Sequence, residues 1–93
     1  MCQTVSAVVT VANKLGLHAR PATIFAETAS GLGASIKVRR CDGGDWVNGT
    51  SIMQMMLLAA TKGTKIEITA TSHDSQKVLD ALVKLVESGF RED

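Results

Sequence analysis

Hydrophobic and polar positions change their period several times along this chain. From Thr4 to Ala12 they alternate, with Val5, Ala7, Val9 and Val11 on one side, the period-two signature of a half-buried strand. From Ala19 to about Ser30 apolar residues recur at helical spacing. Ala22, Phe25, Ala26 and Ala29 form one face, and Gly31 and Gly33 supply the stop. Alternation returns at Ser35–Arg40, with Ile36 and Val38 inward. Cys41-Asp42-Gly43-Gly44-Asp45 is turn chemistry, after which Trp46–Asn48 is expected to pair back as a short third strand. Ile52–Ala60 is expected to be a short helix, and Lys65–Thr71 a fourth strand through Ile66, Ile68 and Ala70. A last helix, capped by Asp74, is expected to reach about Ser88 with Val78, Leu82, Leu85 and Val86 inward.

The resulting order is βαββαβα. Helices in that order have to cover one face of one sheet, which gives an α+β open-faced β-sandwich. The middle helix stands out. Ile52, Met53, Met55, Met56, Leu57 and Leu58 are apolar nearly all round, interrupted by Gln54. A short helix lying on a sheet buries only one stripe. The remaining apolar residues are expected either to form an exposed docking patch or to sit in the core or an oligomer contact. Methionines suit a docking surface because they repack against different partners. Met53, Met56 and Leu57 are the expected exposed members.

Composition narrows the function. With 93 residues, 45% of them hydrophobic, the chain is expected to be one domain, residues 1–93, with one modest core. A net charge of +1 gives no general attraction to nucleic acid or membranes. Lys37, Arg39 and Arg40 form a small basic cluster, read as a solvated strand face. Phe25, Trp46 and Phe90 are the aromatic residues, too few for a base-stacking sheet. Cys2 and Cys41 have neither metal-ligand spacing nor the number of a disulfide framework, so they are read as free thiols of a reducing cytoplasm. No apolar run is long enough for a membrane span, and no basic stretch precedes Val5–Ala12 as in a signal peptide.

The chemistry lies in Gly16-Leu17-His18-Ala19-Arg20-Pro21-Ala22-Thr23. Proline lacks an N–H and is tolerated only in the first turn of a helix, so Pro21 places a helix start at about His18 or Ala19. His18 then stands at the positive end of the helix dipole, beside N–H donors suited to anions. An imidazole offers a ring-nitrogen lone pair near neutral pH. Arg20 can meet phosphoryl oxygens with a planar fork, and Gly16 lets the chain turn sharply. Phosphoryl transfer asks mainly for positioning and charge stabilisation. A histidine near a helix start also serves as a cap or a surface residue. The residues by themselves therefore give an anion-binding helix terminus with a candidate nucleophile.

Leu15-Gly16-Leu17-His18-Ala19-Arg20-Pro21-Ala22 resembles the active-site signature of HPr, the histidine phosphocarrier family of the bacterial phosphotransferase system. Val47-Asn48-Gly49-Thr50-Ser51-Ile52-Met53 and Ala60-Thr61-Lys62-Gly63 are similar to two further family stretches, in register. The resemblance implies a four-stranded antiparallel sheet covered by three helices. It implies phosphorylation of His18 through Nδ1, with Arg20 as its partner and no cofactor or metal. It also implies enzyme I as donor, an enzyme IIA-type acceptor, and docking of both through the start of the first helix and the middle helix: Ala19, Arg20, Met53, Met56 and Leu57. A carrier that visits two partners through one face is expected to be a cytoplasmic monomer.

Ser51 reads first as an N-cap, and it also matches the position that HPr kinase phosphorylates in some members. A regulatory docking protein, binding effectors according to phosphorylation of His18 or Ser51, is the alternative function. His73 lacks the Arg and Gly of the motif and reads as a surface histidine. Leu15, Trp46, Thr50, Gln54 and Thr61 depart from common family patterns. Asn13-Lys14-Leu15-Gly16 and the ending Ser88-Gly89-Phe90-Arg91-Glu92-Asp93 resemble the nitrogen-related branch.

Overall fold

The structure, a computed structural model, describes residues 2–90. Its elements are β1 (Gln3–Thr10), α1 (Ala19–Gly31), β2 (Ser35–Arg40), β3 (Val47–Asn48), α2 (Ile52–Leu57), β4 (Lys65–Ser72) and α3 (Ser75–Glu87). The strands form one antiparallel sheet in the order β1-β4-β2-β3, and three helices cover it as an α+β open-faced sandwich.

Register follows from the alternation. Val9 pairs with Ile66, Ala7 with Ile68, Val38 with Ile68 and Ile36 with Ala70, so the apolar members share the helix-covered face. A slip of one residue would turn every one of them to the other side. The opposite face is mainly polar, with Val8 exposed on it beside Glu67. Thr4 and Thr71 share a hydrogen bond of 2.8 Å, and the Arg39 guanidinium meets Glu67 at 2.9 Å.

The covered side holds Ala22, Phe25, Ala26 and Ala29 of α1 against Val78, Leu82, Leu85 and Val86 of α3, all buried. Phe25 meets Phe90 edge-on, with ring centroids 6.5 Å apart. Gly49 lies where a Cβ would fall 2.5 Å from Ile36 Cγ2 and 3.3 Å from Phe25 Cε1, so no larger residue fits there without moving the core.

Several boundaries differ from the sequence-based expectation. β1 ends at Thr10 rather than Ala12, although the Val11 N–H still donates to Thr64 O at 2.9 Å. Trp46 lies outside β3, its ring under the Arg39 guanidinium at 4.7 Å. Asp74 occupies the N-cap of α3 without a side-chain cap bond, because its carboxylate accepts from the Ser72 hydroxyl at 2.9 Å. α2 stops at Leu57 rather than Ala60, and Ala59 turns left-handed at φ 51°. Arg40 does not share the solvated face of Lys37 and Arg39. Strand alternation turns it to the helix side, where it reaches Asp42 and the end of α2. Residues 91–93 of the branch-like ending lie outside the described residues.

Candidate functional site

The loop before α1 is built to deliver one side chain. The Gly16 N–H donates to Asn13 O at 3.1 Å, and the buried Asn13 side chain donates through Nδ2 to Gly16 O at 2.6 Å. The Leu17 N–H donates to Ala60 O at 2.7 Å while its side chain is buried in the core. Gly16 has φ +70°, and a Cβ there would strike the backbone of Ala60 and lie 2.7 Å from Thr61 Cα. Its small size is therefore required twice, for the left-handed turn and for the close approach of the Ala60-Thr61 segment. The sequence showed the first reason only.

His18 follows as the N-cap of α1, in extended conformation, with its C=O accepting from the Ala22 N–H at 3.0 Å. Its imidazole makes no cap bond to the helix, so the first-turn N–H groups of Ala19 and Arg20 are not consumed by it. Pro21 is buried in that turn and contributes no N–H. The first turn carries no acidic residue, which keeps the positive end of the helix unopposed. His18 is half-exposed, and Nε2 is its shielded nitrogen. The exposed Arg20 makes no ion pair among the described residues.

α2 presents the surface expected of it. Met55 and Leu58, one helical turn apart, are buried, whereas Met53 is 78% exposed and Leu57 77% exposed. Ile52 and Met56 are also exposed, as is Leu15 in the histidine loop, which sequence reasoning did not assign to this surface. Ala60, just beyond the helix, bonds the histidine loop, so the end of α2 and the start of α1 abut. Ser51 caps α2, its hydroxyl accepting from the Gln54 N–H at 3.2 Å. The Gln54 side chain reaches back past the cap to accept from the Asn48 N–H at 2.8 Å, a bond not anticipated from the sequence.

Residues 5–88 match the sequence profile of PTS-HPr, described as the PTS HPr component phosphorylation site. The chain belongs to the HPr family. It is 38% identical over 90 residues to phosphocarrier protein NPr of Escherichia coli (strain K12), covering 97% of this chain and 99% of that one. It is 43% identical over 82 residues to phosphocarrier protein HPr of Neisseria meningitidis serogroup A, covering 88% and 90%. Among solved structures, HPr-C-His from Thermoanaerobacter tengcongensis superposes with a TM-score of 0.86 at 37% identity, over 96% of this chain and 98% of that one. The Escherichia coli and Neisseria meningitidis relatives are phosphocarrier proteins by name.

Outside this region, His73 is exposed, and Cys2 and Cys41 are exposed free thiols. Among the described residues no helix is long and apolar enough to cross a membrane.

Proposed function

We propose that this protein is a phosphocarrier: His18 takes a phosphoryl group from phosphorylated enzyme I and passes it to an enzyme IIA-type acceptor. The observation that carries this reading is a half-exposed imidazole at a helix N-terminus whose first-turn N–H groups it does not cap, next to the Arg20 guanidinium, which makes no ion pair among the described residues. The shielding of Nε2 favours Nδ1 as the reacting atom. Its lone pair attacks phosphorus, a new N–P bond forms, and the donor's bond to phosphorus breaks with its electron pair returning to the donor. The Ala19 and Arg20 N–H groups and the Arg20 side chain then face a charge that grows on the phosphoryl oxygens. Because the group must leave again, these donors hold it moderately, and no metal or cofactor is required for the exchange.

Met53, Met56 and Leu57, with Ala19 and Arg20, form the face offered in turn to donor and acceptor. A single face serving both partners fits a monomer working in the cytoplasm. The end-to-end match to NPr favours the nitrogen-related acceptor, and transfer rates to acceptors of both branches measure that preference directly.

The cap position of Ser51 beside an exposed apolar helix favours a second, regulatory reading. Phosphorylation there by an HPr kinase would place a near-dianion at the edge of the docking face and repel an acidic partner. Passage of the label to an acceptor separates carrier from regulator, since a pure regulator binds without handing the group on. The primary test uses radiolabelled phosphoenolpyruvate, enzyme I, the parent protein and His18→Ala. The parent is expected to take an acid-labile label and the variant none, with the fold of both intact by circular dichroism. Equal labelling of the two, or an acid-stable label on the parent, contradicts the proposal.

A further inference from the structure

Arg40 is the charged side chain whose position the sequence did not foretell. Its Nε donates to Asp42 Oδ1 at 3.0 Å and its Nη2 to Asp42 Oδ2 at 2.7 Å, a two-pronged fork. The remaining nitrogen, Nη1, points at the carbonyls just past α2, that of its C-cap Leu58 at 3.4 Å and that of Ala59 at 3.5 Å. A cation at a helix C-terminus meets the negative end of the dipole and carbonyls that lack an intrahelical partner. Here the cation comes from a different element, the end of β2.

The chain that follows those carbonyls leads straight to the histidine loop. Ala59 turns left-handed, Ala60 O accepts the Leu17 N–H at 2.7 Å, and the Ala60-Thr61 backbone packs against Gly16 with no room for a Cβ. Thr64 Oγ1 fixes the next peptide by accepting the Thr61 N–H at 3.1 Å. Arg40 and the end of α2 are therefore linked to His18 through the Leu58–Ala60 backbone and the Leu17 peptide.

We propose that Arg40, held by Asp42, is a positioning residue that fixes the end of the docking helix relative to the histidine loop. Its guanidinium sets the direction in which the chain leaves α2. That direction sets both the exposed face of Leu57 and the carbonyl from which Leu17, and next to it His18, is hung. Hydrogen bonds from Arg40, and secondarily its charge, hold the Asp42 carboxyl below the ordinary carboxylate range, so the fork stays closed at neutral pH. The role in docking rests on the phosphocarrier reading. The bracing of the loop does not.

The test compares Arg40→Gln with Arg39→Gln in the full chain. Arg39 is the control because it lies in the same strand and pairs with Glu67 on the open face. Amide exchange at Leu17 is expected to quicken about five-fold in Arg40→Gln and to stay at the parent rate in Arg39→Gln, with Val38 and Ile68 unchanged in both. In transfer from phosphorylated enzyme I, Arg40→Gln is expected to raise KM about three- to five-fold with kcat within about two-fold, because a loosened helix end must be ordered on docking while His18 and Arg20 are intact. Asp42→Asn is expected to move both readouts the same way by less. Leu17 exchange unchanged, KM unchanged, or equal effects of the Arg39 and Arg40 variants would overturn the proposal. A parent that takes no label defeats the phosphocarrier reading instead, and the contrast in Leu17 exchange still decides the clamp.

Discussion

α2 and α3 are both rich in apolar residues, and they do opposite things with them. α3 buries Val78, Leu79, Leu82, Leu85 and Val86 and gives Gln76, Lys77, Asp80 and Lys84 to solvent. α2 buries Met55, with Leu58 at its end, and leaves Ile52, Met53, Met56 and Leu57 outside. The amphipathic stripe of α3 is what the fold itself needs. Met53 and Leu57 keep most of their apolar surface in water, and that surface is what the proposed docking face rests on.

The contrast can be broken first from the folding side. Leu82→Ala removes a fully buried side chain and is expected to lower unfolding free energy by about 2–5 kcal/mol, read by urea denaturation, while the folded fraction keeps its KM for phosphorylated enzyme I. Gly16→Ala sits where folding and recognition meet. A Cβ there requires a left-handed residue and strikes the Ala60-Thr61 backbone, so stability is expected to fall by about 1–3 kcal/mol and transfer to slow by as much as about 100-fold.

From the recognition side the balance reverses. Met53→Ser combined with Leu57→Ser is expected to change stability by less than ~0.5 kcal/mol, since both side chains are already in water. The same variant is expected to raise KM for donor and acceptor about ten-fold. A large loss of stability with unchanged KM would make α2 a core element like α3.

The smallest effect concerns acid. The folded value of Asp42 lies below its unfolded one, so its contribution is present above the ordinary aspartate range of about 4 and is lost as pH falls through the lower folded value. The melting temperature of the parent relative to Asp42→Asn is expected to be level above about pH 4 and to converge below it.

How much of this was readable beforehand differs between the same two helices. The stripe of α3 repeats over several turns and ends at predictable residues, and all four of its expected inward positions are buried. α2 was harder to end than to begin. Ser51 signals its start, but Ala59 and Ala60 are strong helix formers, and nothing local tells the chain to stop at Leu57. The contacts at the stop are tertiary: Arg40 meets the Leu58 carbonyl at the C-cap, and Ala60 O accepts the Leu17 N–H. Arg40 was obscured for the same reason, since a run of Lys37, Arg39 and Arg40 reads as one solvated patch until strand alternation separates them.

The histidine loop was legible because Gly16, His18 and Pro21 each carry a local conformational demand. Its bracing by Ala60-Thr61 was not, because contacts between distant segments leave no periodic trace. Asp74 shows how a cap residue can hold the right position and spend its carboxylate elsewhere, on Ser72.

As a phosphocarrier, the protein is expected to carry its phosphoryl group on one nitrogen of His18. Imidazole ¹H–¹⁵N correlation spectra, recorded on the protein after incubation with enzyme I and phosphoenolpyruvate, address it most directly. The expected result is a phosphorus-coupled Nδ1 resonance assigned to His18, with the His73 ring unchanged. Phosphorus coupling at His73, or a phosphorylated Ser51 with both rings unaltered, would contradict it.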